Sequence, residues 1–332
     1  MATTTITQVP PGVQAFYDRN LLERAVPADI HGRFGQNRPI TKRNGNQIKF
    51  RRYSALTAAT TPLTEGVTPA GSSLAVTDLT ATLAQYGDYV TLSDMVDMVN
   101  QDAVLTEAGN VLGEQAGYTI DQVRRDVLVA GTSVAYANGA NRAAVNTVLT
   151  GGLIKMAVRA LKRQNAKKIT EAISAKTGVG TVGIRASFIG LVHPDTEGTL
   201  KAITGFVPVN QYASQMELLE DEVGSLDEVR FVSSTNGKVF ANGGATGGTN
   251  VISTGGTNAD VYATLILAAN AYGVVPLSGE AMSNIVKALG SSGTADPLNQ
   301  RATSGWKAIT TTAILNDAFM YRVEHANTNT LS

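Results

Sequence analysis

Apolar and polar positions along the chain change period several times, and each change marks an expected element. Residues 1–45 show no sustained period. Pro10-Pro11, Pro27, Gly32, Gly35 and Pro39 interrupt any long helix, so the stretch reads as an irregular arm, with helical spacing only from Val13 to Leu21. Over 46–92 the period is two. Ile48, Phe50 and Arg52 alternate with Lys49, Arg51 and Tyr53, and on the return Leu74, Val76 and Asp78 precede Leu79, Ala81 and Leu83. The turn-rich segment Thr61–Gly71 lies between the two runs, so the stretch is an extended two-stranded ribbon. A lone ribbon is marginal in water and needs another surface to lie on.

Residues 93–130 predict helix, in two pieces. Val104, Ala108, Val111, Leu112, Ile120, Val123 and Val127 recur near every 3.6 residues, and Gly109, Gly113 and Gly117 on one face suggest close approach by another backbone. A second helix spans 152–165, with Ile154, Ala157, Val158 and Leu161 on one side and Lys155, Arg159, Lys162 and Arg163 on the other. That basic face is either a polyanion contact or a solvated surface. Short strands and helices follow, with buried-strand runs at Ser187–Val192, Val229–Val232 and Val261–Leu267. Residues 186–290 read as a mixed α+β unit with a loop insertion at 236–259. Residues 239–259 are uncharged and contain three Gly-Gly pairs, the marks of an exposed loop. Residues 284–325 return to strands, with Ile309, Ile314, Phe319 and Tyr321 as expected core positions.

Charge adds a second division. The 332 residues carry 27 cations and 27 anions. Between Tyr53 and Val123 there is no lysine or arginine, and there are nine acids. The preceding stretch, 17–52, carries nine cations against three acids. Such a partition suggests complementary surfaces that meet, within one subunit or between copies; two independent solvated faces are the alternative. The expected inter-subunit contacts are Lys49, Arg51, Arg52, Glu65, Asp78, Asp88, Asp94 and Asp97. Neutral net charge argues against a dedicated nucleic-acid binder. Charged residues make up only 16% of the chain, which suits a surface extensively covered by other protein.

Catalytic patterns are scarce. With no cysteine, thiolate chemistry is excluded. Gly178–Gly183 has the letters of a dinucleotide fingerprint but precedes a strand instead of following one. His31, His193 and His325 have no partners at metal-ligand spacing, and His193-Pro194-Asp195 reads as a strand-ending turn. No apolar run approaches the roughly 18 residues that span a bilayer, so no membrane partner is expected. No cofactor, metal or catalytic residue is assigned.

The order of arm, ribbon, long helix, α+β unit and closing strands, together with specific residues, resembles the major capsid proteins of tailed bacteriophages with the Hong Kong 97-like fold. Those residues are Leu63-Thr64-Glu65-Gly66-Val67-Thr68-Pro69, Gln85-Tyr86-Gly87-Asp88-Tyr89-Val90, Val192-His193-Pro194-Asp195, Gly224–Val232 and Gly305-Trp306-Lys307. Within that family they are most similar to the branch typified by the coliphage N-four capsid protein. The resemblance implies an α+β fold with an N-terminal arm (1–45), an extended loop (46–92), a spine helix (93–130), a peripheral domain (131–150 and 276–332) and an axial domain (151–275). It implies self-assembly into pentamers and hexamers of an icosahedral shell around double-stranded DNA, in the cytoplasm of a bacterial host. Portal and scaffolding or decoration proteins would be further partners. Some relatives join subunits by a lysine–asparagine bond, for which Lys49 and Asn316 are the formal candidates. The competing readings are an α+β enzyme and a monomeric β-rich surface or adhesion module.

Overall fold

The apolar runs at 187–192, 229–232 and 261–267 form the centre of one sheet. The computed structural model describes residues 29–95, 104–173, 181–212, 218–247, 250–278, 282–291 and 296–328. Within it, β7 (Thr181–Val192) pairs in parallel with β10 (Val229–Ser233) and antiparallel with β12 (Val261–Leu267). These strands read as unbroken apolar runs because both faces of the sheet are covered. Phe188, Val192, Val229, Phe231 and Ile266 point to one side, onto α2 (Gly151–Arg163), through its buried Ile154, Ala157, Val158 and Leu161. Ile189, Leu191, Val232, Leu265 and Leu267 point to the other, where Ile30 and Phe34 of the arm join the C-terminal end of α1 (Val104–Val129) and Tyr272. Period two along each strand thus distributes one run of residues between two cores.

The nine-stranded sheet runs in the order β5 (Val134–Tyr136), β16 (Met320–His325), β12, β7, β10, β9 (Glu222–Leu226) and β8 (Val207–Pro208). In addition, β6 (Ile169–Ile173) pairs with β7 and β11 (Val239–Phe240) with β12. The five-stranded sheet is built on β15 (Arg301–Ile314), flanked by β4 (Ala84–Ser93), β13 (Tyr272–Pro276) and β14 (Met282–Lys287), with β1 (Gln36–Asn37) parallel to β13. Sheet membership therefore crosses the boundaries read from sequence. Residues 134–136 and 320–325 lie in the sheet of the 151–275 unit, and 272–276 lie in the other. The cause is strand exchange: β16 pairs with β12 over six residues, from Tyr262↔His325 to Leu267↔Met320.

The long helix packs across the five-stranded sheet. Leu112, Ala116 and Ile120 meet Trp306 and Ala308, with Tyr86 and Met282 at the edge. Val111 belongs to the expected stripe but is 63% exposed, whereas Ala116 is fully buried. A methyl group at Gly109 would lie 4.0 Å from Ser304 Oγ, an ordinary contact, so no close backbone approach explains that glycine. Asp94 and Met95 are helical, 96–103 lie outside the described residues, and α1 runs from Val104, within the 93–130 stretch expected to be helical in two pieces.

On β15 the even-numbered residues from Ala302 to Thr312 are buried, together with Gly305 and Ala313, while Ile309 and Ile314 are half-buried. Ile309 falls on the opposite face because α1 packs on the even-numbered side, and Ile314, at the end of the strand, packs at the margin of the core that holds Tyr272. Phe319 and Tyr321 are likewise half-buried and pack at the margins of the two cores.

The uncharged loop is less free than its composition suggests. Ala245 N donates to Val145 O (3.0 Å), Ile252 N to Asn327 O (2.9 Å), and Asp260 accepts from Asn242 N (2.7 Å) and Thr254 N (3.0 Å). A Cβ on Gly244 would lie 2.1 Å from Val145 O, so glycine is required there by proximity. Full exposure is confined, among the described residues, to 241–242, 246, 250 and 254–257.

Candidate functional site

The ribbon forms as its alternation requires. β2 (Gln47–Tyr53) pairs antiparallel with β3 (Val76–Thr82), from Gln47↔Thr82 to Tyr53↔Val76. Residues 54–75 beyond it contain no strand, and every one of them is exposed. Leu63 is 77% exposed, Leu74 65% and Val67 62%. Surfaces of this kind, apolar and without a core beneath them, mark sites of protein contact.

The register puts Arg51 directly opposite Asp78. Arg51 Nε donates to Asp78 Oδ1 (2.9 Å) and Nη2 to Oδ2 (3.0 Å), a bidentate pair. The arginine hydrogen bond holds the Asp78 carboxyl below its ordinary range. Lys49 and Arg52 are exposed on the same ribbon, and Glu65 stands exposed at its tip. Asp88, on β4, is exposed and accepts from Gln115 Nε2 (2.7 Å) and Tyr89 N (2.8 Å); these bonds lower its pKa. Gln115 Oε1 in turn accepts from Trp306 Nε1 (3.1 Å), tying α1 to the sheet. Asp94 accepts from Met95 N (2.8 Å). Asp97 lies outside the described residues. Lys49 and Asn316 both line a hollow of about 1110 Å³ at the ribbon base, where Asn316 Oδ1 accepts from Ala318 N (3.3 Å).

Arm and acidic segment also meet in the interior of the subunit. His31 N donates to Asp121 Oδ1 (2.7 Å), and His31 Nδ1 lies 3.0 Å from both carboxylate oxygens. Asn236 Nδ2 donates to Asp121 Oδ2 (2.9 Å), and Tyr272 Oη to the His31 carbonyl (2.6 Å). Beside them Arg124 pairs with Asp29, and Arg125 Nη1 donates to Asn236 O (2.9 Å). The helix end thus ties the arm to the turn after β10. Arg51–Asp78 and His31–Asp121 both join the basic stretch to the acidic one within a single chain, so this part of the charge partition is satisfied in cis.

Other buried polar groups have no sequence signal. Glu324 is paired with Arg142 and Arg322, and Glu222 with Arg230. His193 accepts from Asp195 N (3.2 Å) at the start of a 3-10 turn, and Tyr262 Oη donates to Asp195 Oδ2 (2.7 Å), as expected for a strand-ending turn. Among the described residues no three His, Asp or Glu side chains cluster as metal ligands. No helix among them is long and apolar enough to cross a membrane.

His325 is fully enclosed on β16. Nδ1 donates to Ala326 O (3.0 Å), which leaves Nε2 to accept from Thr264 Oγ1 (2.9 Å). Burial pulls its pKa down to about 4. The unfolded chain takes up this proton near pH 6.5, so it binds more protons than the folded chain between the two values. Stability is therefore lost as pH falls from about 6.5 towards 4, by about 3 kcal/mol at most. His325→Gln should flatten this limb, read as urea midpoints at pH 7, 5.5 and 4. An unchanged pH dependence would count against it.

Comparison with known proteins places this α+β fold among phage capsids. No curated protein sequence matches the chain. The capsid of Ralstonia phage GP4 superposes with a TM-score of 0.64 at 11% identity, covering 89% of this chain and 87% of that one. The head structure of Helicobacter pylori bacteriophage KHP40 gives 0.62 at 12% identity, covering 87% and 86%. The capsid of cyanophage Pam1 gives 0.60 at 14%, covering 92% and 93%. At such identities the likeness is one of fold. The family described as phage capsid protein matches residues 75–323, from the return strand of the ribbon to β16. With three quarters of its length under that match and a fold shared with phage heads, the chain belongs to the phage capsid protein family and is a structural major capsid protein.

Proposed function

We propose that this subunit assembles with copies of itself into the pentamers and hexamers of an icosahedral, Hong Kong 97-like head around double-stranded DNA, without turnover of any substrate. Assembly would take place in the cytoplasm of a bacterial host, with portal and separate scaffolding or decoration proteins as further partners. The motifs quoted above favour the N-four-type branch. The nine-stranded sheet with α2 would be the axial domain, the five-stranded sheet with α1 the peripheral domain and spine. The observation that carries the reading is the ribbon, whose exposed Leu63, Val67 and Leu74 find no core in their own chain. Lys49, Arg52 and Glu65 are its charges open to a neighbour, while Arg51 and Asp78 would arrive as a neutralised pair. Asp88 and Asp94 would meet the neighbour near the β4 edge, and Asp97 is a further proposed contact. The enzyme and adhesion-module readings leave the ribbon without a role.

Replacing Ala58–Ser72 by a short turn should leave the circular dichroism spectrum nearly unchanged and abolish shells in negative-stain images. The segment contributes nothing buried to its own subunit. Normal shells from the shortened protein would sink the proposal.

A further inference from the structure

The exposed face of α2 concentrates positive charge. Lys155, Arg159, Lys162 and Arg163 stand exposed opposite the buried Ile154, Ala157, Val158 and Leu161, and Lys167 and Lys168 follow directly. Together with Asp227 and Glu228 of the β9–β10 turn, these helix cations line a hollow of about 780 Å³. Several cations elsewhere are paired: Arg33 with Glu220, Arg51 with Asp78, Arg124 with Asp29, Lys238 with Asp126. On α2, Lys162 and Lys168 share Glu228, while Lys155, Arg159, Arg163 and Lys167 make no ion pair among the described residues.

Helix stability does not account for this arrangement. Lys162 and Arg163 suit the C-terminal end of the helix dipole, but Lys155 lies near the other end. Lys155, Arg159 and Arg163 also follow one another at four-residue spacing, where like charges repel. A polyanion relieves that repulsion. Successive cations rise by about 6 Å along the helix, against roughly 3.4 Å per phosphate along one DNA strand, so each can meet every second phosphate.

We infer that this face binds the phosphate backbone of nucleic acid without reading sequence, and that in the assembled shell it faces the enclosed DNA. The inference takes only the source of the polyanion from the proposed shell. Glu228 restrains the site, because its carboxylate occupies Lys162 and Lys168.

The test is fluorescence anisotropy of a 20-base-pair duplex of arbitrary sequence, titrated with the full-length subunit below its assembly concentration, at several salt concentrations. Binding should weaken with salt by a slope of about 0.9 per phosphate contact. Lys155→Glu with Arg159→Glu and Arg163→Glu should lower affinity about tenfold or more and flatten the slope by about two to three. Shells should still form, with less DNA retained. Glu228→Gln should act oppositely, tightening binding and steepening the slope by about one to two. It supplies a second arm should the triple variant fold poorly. Equal binding by parent and triple variant, or none by the parent, overturns the inference. So does a triple variant that binds DNA normally but loses its shells, since the face would then join copies of this chain. A parent that makes no shells, yet binds DNA through these residues, would fail the shell reading and leave this one standing.

Discussion

Asp121→Ala is expected to destabilise the isolated subunit by about 3–5 kcal/mol, because it removes a buried carboxylate shared by several hydrogen-bond donors and leaves those donors unsatisfied. Asp121 is fully buried and His31 is 1% exposed. The carboxylate accepts from the His31 amide, from its imidazole and from Asn236. After truncation these donors face one another and a void. Asp121→Asn keeps the volume but turns an acceptor into a donor towards His31, so a smaller loss, about 1–3 kcal/mol, is expected. Burial alone would raise the Asp121 pKa; hydrogen bonds and charge from His31 outweigh it and hold the group below its ordinary range. A carboxyl depressed in the folded state stabilises above its unfolded pKa of about 3.9, and that contribution disappears as pH falls through the folded value. Both variants should therefore show weaker pH dependence than the parent below about pH 4. Urea unfolding at pH 7 and at pH 3 checks the prediction. An unchanged midpoint for Asp121→Ala would mean that the arm does not depend on the helix end.

The position of Asp121 shows what the sequence made legible and where it stopped. Its membership of an acidic stretch facing a basic one was visible; its partner, 90 residues upstream, was not. Charge partition alone cannot separate a contact between copies from one within a chain. For Arg51 and Asp78 the answer lay in strand register, which follows from the ribbon's alternation but had to be counted out pair by pair. Elements with a strong period were readable because burial imposes the period: the ribbon, α2, and the runs of β7, β10 and β12. On β15 the signal failed. Its buried face carries Ala302, Ser304, Ala308, Thr310 and Thr312, and its half-buried face carries Ile309. Helix docking selects which side is covered, and small hydroxyl residues on a covered face look polar in sequence. The strand membership of the two sheets was hidden for a related reason, since β16 enters the middle of a sheet whose other strands lie far upstream.

That late strand also carries the second large effect. Glu324 is fully buried on β16. Arg142 Nε donates to Oε2 (2.8 Å) and Nη2 to Oε1 (2.7 Å), and the same guanidinium lies 3.4 Å from the centroid of the Phe240 ring. Arg322 Nε stands 2.8 Å from Oε1 without hydrogen-bond alignment, while its Nη1 donates to Gly131 O (3.1 Å). One carboxylate therefore separates two guanidiniums, and the excess positive charge reaches water only through Arg142, whose side chain is 35% exposed. Glu324→Ala should destabilise by about 3–5 kcal/mol, because two cations then face each other in a poorly solvated site. Glu324→Gln retains an acceptor and should lose less. Replacing Arg142, Arg322 and Glu324 together by Met, Met and Leu should recover most of the loss, since well-packed apolar groups can substitute for a buried ionic cluster. The damage should also be local. Arg322 to Glu324 pair in parallel with Val134 to Tyr136, so hydrogen exchange should accelerate first in β5 and in residues 137–148, before the β7–β10 centre. Uniform acceleration across the nine-stranded sheet would show instead that the cluster supports the whole sheet, as a buried network does when its strands unfold as one unit.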